Sequence, residues 1–433
     1  MARGPEIVVK PLHVLPPLAP EIWLDILEWA TIVPGLMDID VPDPFDSPTT
    51  LTPNDPWPVD ELKASLRLRL ALVRVSKSWH AMTTPILYRC LVVRTKKAAE
   101  RIIQTLRDSH ARVREGSAGP PLGHWVHHLM IALPAHERVE NFGAVASLFP
   151  NLQILTANSI TMVTLPTGQY AYEGPVTTSK ERPWQMSFLR GVLAASGKSL
   201  LRLCVGGLPY HDRVAASALL QMAPNLRTLL TLDDSLCPID LFRPPKLATL
   251  NIHGSCNDAN AVNEPFPFVR HAVLRDPGFY RSSEAWLRFL TFQGPSLTTL
   301  HLDFFMHGFA EFMRGDISSI EILCPNLKHL FIYFLRLPVP FSLIAIPAAP
   351  HLGIHFREPP TLDASTPLVE ALLRAEFLPR QVVRLLNPEV GHMLRGYLHE
   401  DVNSELARAI ASGRFGLQDH RGQGIGPLAS TSS

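Results

Sequence analysis

The sequence predicts an α/β repeat array preceded by a small all-helical segment, and three observations predict it. Behind residue 120 a short unit recurs: an apolar residue, two variable residues, an apolar residue, one variable residue and a further apolar residue. Its copies begin at Val126, Leu152, Leu200, Leu226, Leu247, Val269, Leu297, Leu327 and Leu352, mostly 21–30 residues apart with one interval of 48. The first 90 residues lack the unit and carry helical periodicity instead.

Within the unit, alternate residues of a strand point to one side. The stretch that follows supplies a helix to cover that side, as expected at 186–195, 214–222 and 284–292. One unit cannot bury its own apolar face, so neighbours must stack. The spacing is near the roughly 20–29 residues of leucine-rich repeats, so 122–360 is expected to be a degenerate leucine-rich-repeat-like solenoid. Pro-Asn-Leu recurs at 150, 224 and 325, at one phase of the unit. The long interval holds a diverged copy or an insertion at 160–183. An ordinary α/β domain of strand–helix units remains the alternative.

The front is read from its own periodicity. Ile22, Ile26, Leu27 and Ala30 share one helical face, with Pro20 in the first turn and Glu21 and Asp25 near the positive end of the helix dipole. Residues 33–60 are rich in proline and aspartate and are expected to form an exposed loop. A second helical block covers 61–83, with Leu66, Leu70, Val73 and Trp79 on one face and Arg67, Arg74 and Lys77 toward solvent; Pro85 closes it. A strand-like run at 91–94 and an amphipathic helix at 96–114, with Ile102, Ile103 and Leu106 inward, precede a turn at 116–121.

The expected domains are a helical one at 1–90 with an inserted loop at 32–63, a strand–helix linker at 91–121 and the array at 122–360. A C-terminal helical cap at 361–412 and a Gly/Ser-rich disordered tail at 413–433 follow.

Composition narrows the function. Hydrophobic residues make up 46% and charged residues 18%, the latter below the roughly 25% usual for such domains. Much of the chain is therefore expected to be buried. A formal net charge of +1 sets up no global field toward nucleic acid or membrane. The 40 prolines imply many short elements separated by breaks. Five widely spaced cysteines without a CxxC fit reduced thiols of a cytoplasmic or nuclear protein. No signal-peptide apolar core follows Met1, and the apolar stretch at 337–354 is broken by Pro338, Pro340, Pro347 and Pro350, against a membrane span.

Several motifs fall short of chemistry. Gly197-Lys198-Ser199 lacks the upstream glycine of a phosphate loop and stands in helix-to-strand order. Alternation separates His128 from His127, and His136-Glu137 and His399-Glu400 lack the second histidine of a zinc helix. Asp38, Asp40, Asp43 and Asp46 lack the glycine and closing glutamate of a calcium loop and are expected to be solvated. Residues 1–62 carry two basic and eleven acidic residues, whereas 63–114 carry thirteen basic and two acidic. That basic run is expected to be a solvated helical face, or to face the acidic loop, rather than to bind nucleic acid. Neither a Gly-x-Ser-x-Gly nor a plausible Cys/His pair occurs, so no catalytic residue, cofactor or metal is expected, and the chain is not expected to be an enzyme.

Two segments carry a family likeness. Leu15-Pro16-Pro17-Leu18-Ala19-Pro20-Glu21-Ile22-Trp23-Leu24-Asp25-Ile26-Leu27 is similar to the opening of an F-box, in which a leucine and a proline precede a glutamate and an apolar helix. The run from Leu70 through Val73, Val75 and Trp79 resembles its closing helix, and Leu87-Tyr88 the apolar–aromatic pair that often ends it. Pro20 stands directly before the glutamate, where the family more often has a free position. The two halves are separated by 32–63, where a compact F-box has a short connection; such an enlarged loop resembles F-box proteins of mushroom-forming fungi.

The resemblance implies helices that bury an apolar face against the Skp adaptor of a cullin ubiquitin ligase, and repeats that hold a protein substrate. It places Leu15, Pro16, Leu18, Pro20, Ile22, Ile26, Leu27, Leu72, Val75 and Trp79 on the Skp-facing surface. The alternative is a repeat scaffold that binds partners without ubiquitin chemistry.

Overall fold

The computed structural model describes residues 18–41, 43–46, 59–133, 143–159, 162–164, 170–172, 183–205, 218–231, 244–253, 265–276, 282–304, 317–334, 349–356, 365–374, 377, 381–400 and 404–426. The chain forms two units, 1–33 with 59–87 and 34–58 with 88–433.

The first unit is helical: α1 (Pro20–Thr31), α2 (Val59–Leu72) and α3 (Lys77–Tyr88), whose last residue belongs to the second unit. Pro20 opens α1, where its missing N–H and fixed φ fit the first turn. Leu27 and Thr31 are buried. Leu62, Ser65 and Arg69 form the buried stripe of α2 at helical spacing. The buried Arg69 joins all three helices: Nη2 donates to the Thr31 carbonyl at 2.9 Å and Nη1 to the Ile86 carbonyl at 3.3 Å. Ser65 Oγ donates to the same Thr31 carbonyl at 2.6 Å. A guanidinium at the last carbonyls of a helix meets both their missing partners and the negative end of the dipole.

The helices differ from expectation in two ways. Leu70 is exposed rather than inward, because the polar Ser65 and Arg69 occupy the inner stripe. Residues 61–83 form two helices broken after Leu72, and Pro85 lies inside the second.

The second unit is built on a 12-stranded parallel sheet, in the order β1 (Cys90–Val93), β2 (His128–Leu133), β3 (Ile154–Ser159), β6 (Arg202–Val205), β7 (Thr228–Thr231), β8 (Thr249–His253), β9 (His271–Asp276), β10 (Thr299–Phe304), β11 (His329–Phe334), β12 (His351–Phe356), β13 (Gln381–Leu385) and β14 (Phe415–Gln418). A separate antiparallel pair, β4 (Met162–Thr164) with β5 (Tyr170–Tyr172), falls in the long interval. The register stacks equivalent positions: Leu155 on Leu203 on Leu229 on Leu250, and Ala272 on Leu300 on Leu330 on Leu352. These residues share one core with Ile103 and Leu106 of α4 (Lys96–Arg114), Phe188 and Val192 of α5 (Pro183–Ser196), and Trp286 and Phe289 of the helix Ser282–Gln293. The strands are buried on both faces, as in β2, all six of whose residues are buried, but the face opposite the leucine core carries polar residues such as Arg202, Thr228, Asn251 and His301.

The recurrent Pro-Asn-Leu has a physical role. Asn151 Nδ2 donates to the His124 carbonyl at 2.9 Å, Asn225 Nδ2 to the Lys198 carbonyl at 2.7 Å and Asn326 Nδ2 to the Pro295 carbonyl at 2.8 Å. Each bond runs from the residue before one anchor leucine to a carbonyl two residues before the preceding anchor. Where serine takes that position, Ser199 Oγ donates to the Leu152 carbonyl and Ser296 Oγ to the Val269 carbonyl, at 2.9 and 3.1 Å. Three residues before the anchor stands a glycine in three repeats. A Cβ on Gly123, Gly197 or Gly294 would lie 1.9, 2.1 or 2.2 Å from the carbonyl oxygen of Leu148, Met222 or Leu323 in the next repeat. Gly197-Lys198-Ser199 is thus a stacking turn between repeats.

The array extends beyond the expected 122–360 at both ends. Residues 91–121 are no linker, since β1 pairs with β2 through Leu91 on Leu129 and Val92 on Met130. Tyr88-x-x-Leu91-x-Val93 is an additional copy, stacked in the same register. The last copy begins at the buried Ala349, since His351 aligns with His329. The expected cap contains helices Ser365–Arg374, Pro388–Glu400 and Glu405–Ala411 but also β13, and β14 follows within the expected tail, with Phe415, Leu417 and Ile425 buried. Residues 427–433 of that tail, and Leu15 and Pro16, lie outside the described residues.

Candidate functional site

The first unit carries a row of exposed apolar side chains. Among the described residues, Leu18, Ile22, Ile26, Trp29 and Ile32 are exposed on or beside α1, and Leu68, Leu70 and Val75 on or after α2. Eight of the eleven large exposed apolar residues recorded for the described chain belong to this unit of three short helices. Single exposed leucines need no explanation, whereas a group on so small a unit does.

Of the sequence-predicted surface, Leu18, Pro20, Ile22, Ile26 and Val75 are exposed, and Leu72 and Trp79 are half-buried. The Trp79 ring lies 5.4 Å from that of Trp23, within the same unit. Leu27 faces inward and leaves the candidate surface, because Trp23, Leu27 and Thr31 form the inner stripe of α1, one residue out of phase with Ile22 and Ile26.

The second candidate site is one face of the sheet. Residues two and four places after each anchor point away from the leucine core. They form rows across the strands: Arg202, Thr228, Thr249, His271, Thr299, His329 and His351 in one, and Cys204, Leu230, Asn251, Val273, His301, Phe331, Gly353 and Arg384 in the next.

A strap formed by residues 36–41 and 43–46 crosses these rows. The Asp38 carbonyl accepts from Arg202 Nη1 at 3.0 Å. The Asp40 carboxylate meets Arg227 Nη2 at 2.7 Å, and Val41 is buried among Cys204, Leu230 and Val273. The Asp43 carboxylate bonds His329 Nδ1 and the backbone N–H of Phe45. The Phe45 ring lies 5.2, 5.5 and 5.0 Å from His329, Phe331 and His351, and the Arg384 guanidinium stands 4.4 Å over it. Arg384 Nη1 also donates to the Pro44 carbonyl at 2.6 Å. Gly353 makes this nest possible: a Cβ there would lie 2.3 Å from the Phe331 ring.

These contacts correct the exposed, solvated loop expected at 33–60 over residues 36–41 and 43–45; residues 42 and 47–58 of that loop lie outside the described residues. Leu36, Val41 and Pro44 are buried, and Asp40 and Asp43 pair with residues of the repeats rather than with the basic run at 63–114.

Beneath lies a neutral histidine network. His271 Nε2 and His301 Nε2 are 2.6 Å apart, and His301 Nδ1 is 2.9 Å from the Tyr333 hydroxyl. Burial lowers His271 to about 4, outweighing the pull of Asp43, and lowers His301 well below its ordinary value. Each neutral ring offers one donor and one acceptor, so one ring can donate to the other. The Asp43 carboxyl is raised by its burial, but bonds from His329 and Phe45 and the nearby imidazoles outweigh this and hold it below 3.8. Among the described residues no group of histidine, cysteine and carboxylate side chains converges as a metal site, and no helix is long and apolar enough to cross a membrane.

The strap and its groove escaped the sequence reading because their partners are far apart in the chain, Arg384 and Pro44 by 340 residues. One signal was present: histidines or cations recur at the same place after the anchors, at His128, Arg202, His271, His329 and His351. No protein-family model matches the chain, and no curated protein matches it.

Proposed function

We propose that this chain is a substrate-recruiting adaptor of a cullin ubiquitin ligase, whose front helical unit docks the Skp adaptor and whose repeats hold a protein substrate. The observation that carries this reading is the exposed apolar row of Leu18, Ile22, Ile26 and Trp29 along α1, with Val75 also exposed on the unit that resembles an F-box. Covering it would be favourable: Ile22 and Ile26 are 47% and 43% exposed, and burying the remainder of each is worth on the order of 1 kcal/mol. The reaction would be the ligase's own, and this chain's contribution would be proximity.

The test is co-expression of the full chain with a Skp adaptor. The wild-type chain is expected to co-purify with it, and an Ile22→Glu, Ile26→Glu double variant to lose at least tenfold in affinity. Folded wild-type chain that leaves the adaptor unbound would refute this reading and favour a scaffold without a ubiquitin role.

A further inference from the structure

We propose that the sheet face crossed by the strap is a peptide-binding groove for an extended acidic segment with an aspartate two residues before an aromatic residue, and that residues 36–41 and 43–45 occupy it as a displaceable internal mimic. The inference deepens the reading that the repeats bind protein.

The strap is held as a ligand is held. Its path crosses successive strands instead of running beside one, and among the described residues no ladder of backbone hydrogen bonds joins it to the sheet. Recognition falls on pockets and charges. The Arg227 guanidinium takes Asp40, the apolar patch of Cys204, Leu230 and Val273 takes Val41, His329 takes Asp43 and the cage roofed by Arg384 takes Phe45. Arg202 and Arg384 add donors to the Asp38 and Pro44 carbonyls. These donors suit any chain in that path, while the carboxylate and aromatic seats select the side chains. A cationic guanidinium over an aromatic face gains both electrostatic and packing energy. The sequence that fills the groove, Asp-Ile-Asp-Val-Pro-Asp-Pro-Phe from 38 to 45, therefore describes the chemistry of a competitor.

Tethering explains how such a mimic holds the site and still yields. A segment joined to its own groove acts at an effective concentration on the order of millimolar. A free peptide with an intrinsic dissociation constant of 10–100 μM would then bind about 10–100-fold more weakly than to an open groove. A partner with additional contacts overcomes that handicap.

The experiment titrates a fluorescent peptide with the sequence of residues 36–46 onto the full chain, wild type and Asp43→Asn/Phe45→Ala. The strap variant is expected to bind at least tenfold more tightly than wild type, and to lose the peptide when Arg384→Gln is added or when the peptide's own phenylalanine becomes alanine. Equal binding to both proteins, or binding indifferent to Arg384→Gln, would overturn the proposal. Should the double variant unfold, Asp43→Asn alone is melted with and without millimolar peptide. Recovery of the melting temperature supports the proposal, whereas persistent destabilisation shows a fixed structural strap and overturns it. No Skp adaptor takes part, so a failure here leaves the recruiting role of the front helices standing, and a failure of adaptor binding leaves the groove standing.

Discussion

Replacing Gly197 by alanine tests how the repeats stack. The new Cβ would lie 2.1 Å from the Met222 carbonyl oxygen, and ordinary contact begins at 3.4 Å, so something must move by about 1.3 Å. Both near atoms, the Met222 and Leu193 carbonyl oxygens, are backbone, so no side chain can swing away. Moving the next repeat outward by that distance stretches the bond from Asn225 Nδ2 to the Lys198 carbonyl, now 2.7 Å, beyond bonding range. Overpacking costs about 1–3 kcal/mol and the lost hydrogen bond about 0.5–1.5 kcal/mol. Alanine's lower unfolded-chain entropy returns roughly 0.4–1 kcal/mol. A net loss of about 2–3 kcal/mol is expected. Urea denaturation followed by far-ultraviolet circular dichroism measures it, and hydrogen exchange at the Leu203 and Leu229 amides localises it. Gly396→Ala is the control: this exposed helical glycine has nothing within 4 Å of a Cβ, so gaining up to about 1 kcal/mol is expected. A Gly197→Ala protein within 0.5 kcal/mol of wild type would refute the stacking argument.

Three further outcomes are expected. Burial lowers His128 to about 3 and His271 to about 4, and lowers His301 well below its ordinary value. The unfolded rings take up protons below about 6.5 while the folded ones stay neutral, so stability is full above pH 6.5 and falls toward pH 4, by on the order of 1 kcal/mol per pH unit per ring; an unchanged melting temperature from pH 7 to pH 5 would contradict this. Burial pushes the Cys204 and Cys324 thiols up to about 12, so both are expected to resist iodoacetamide in the native state and react on unfolding, which mass spectrometry of the alkylated peptides checks. Arg69→Met removes bonds to the Thr31 and Ile86 carbonyls and is expected to destabilise the helical unit by about 2–3 kcal/mol, seen as faster amide exchange in α1; equal exchange in the two proteins would show that Arg69 does not hold the helices together.

The repeat pattern was legible because it is local. Leucines three and five places after each anchor must alternate on a strand, and Leu129, Leu203, Leu300 and Leu330 are all buried where that rule puts them. The same alternation, Val383 with Leu385 and Phe415 with Leu417, marks β13 and β14, but without a Pro-Asn-Leu or a full leucine unit it passed as cap and tail. The phase of the front helices was only half legible. Ile22 and Leu27 are equally apolar, and the buried Arg69 that settles which stripe turns inward looks in sequence like one more surface cation.

Sequence by itself therefore determined the period, the leucine core and the strand–helix alternation, since each depends on residues a few positions apart. Only tertiary structure decided what the other face of the sheet does. Asp38 meets Arg202 across 164 residues and Asp43 meets His329 across 286, and no local rule distinguishes an aspartate bound for solvent from one bound for a histidine. Residues 36–41 and 43–45 form a strap because the stacked repeats line up arginines, histidines and Phe331 into a surface that their side chains fit.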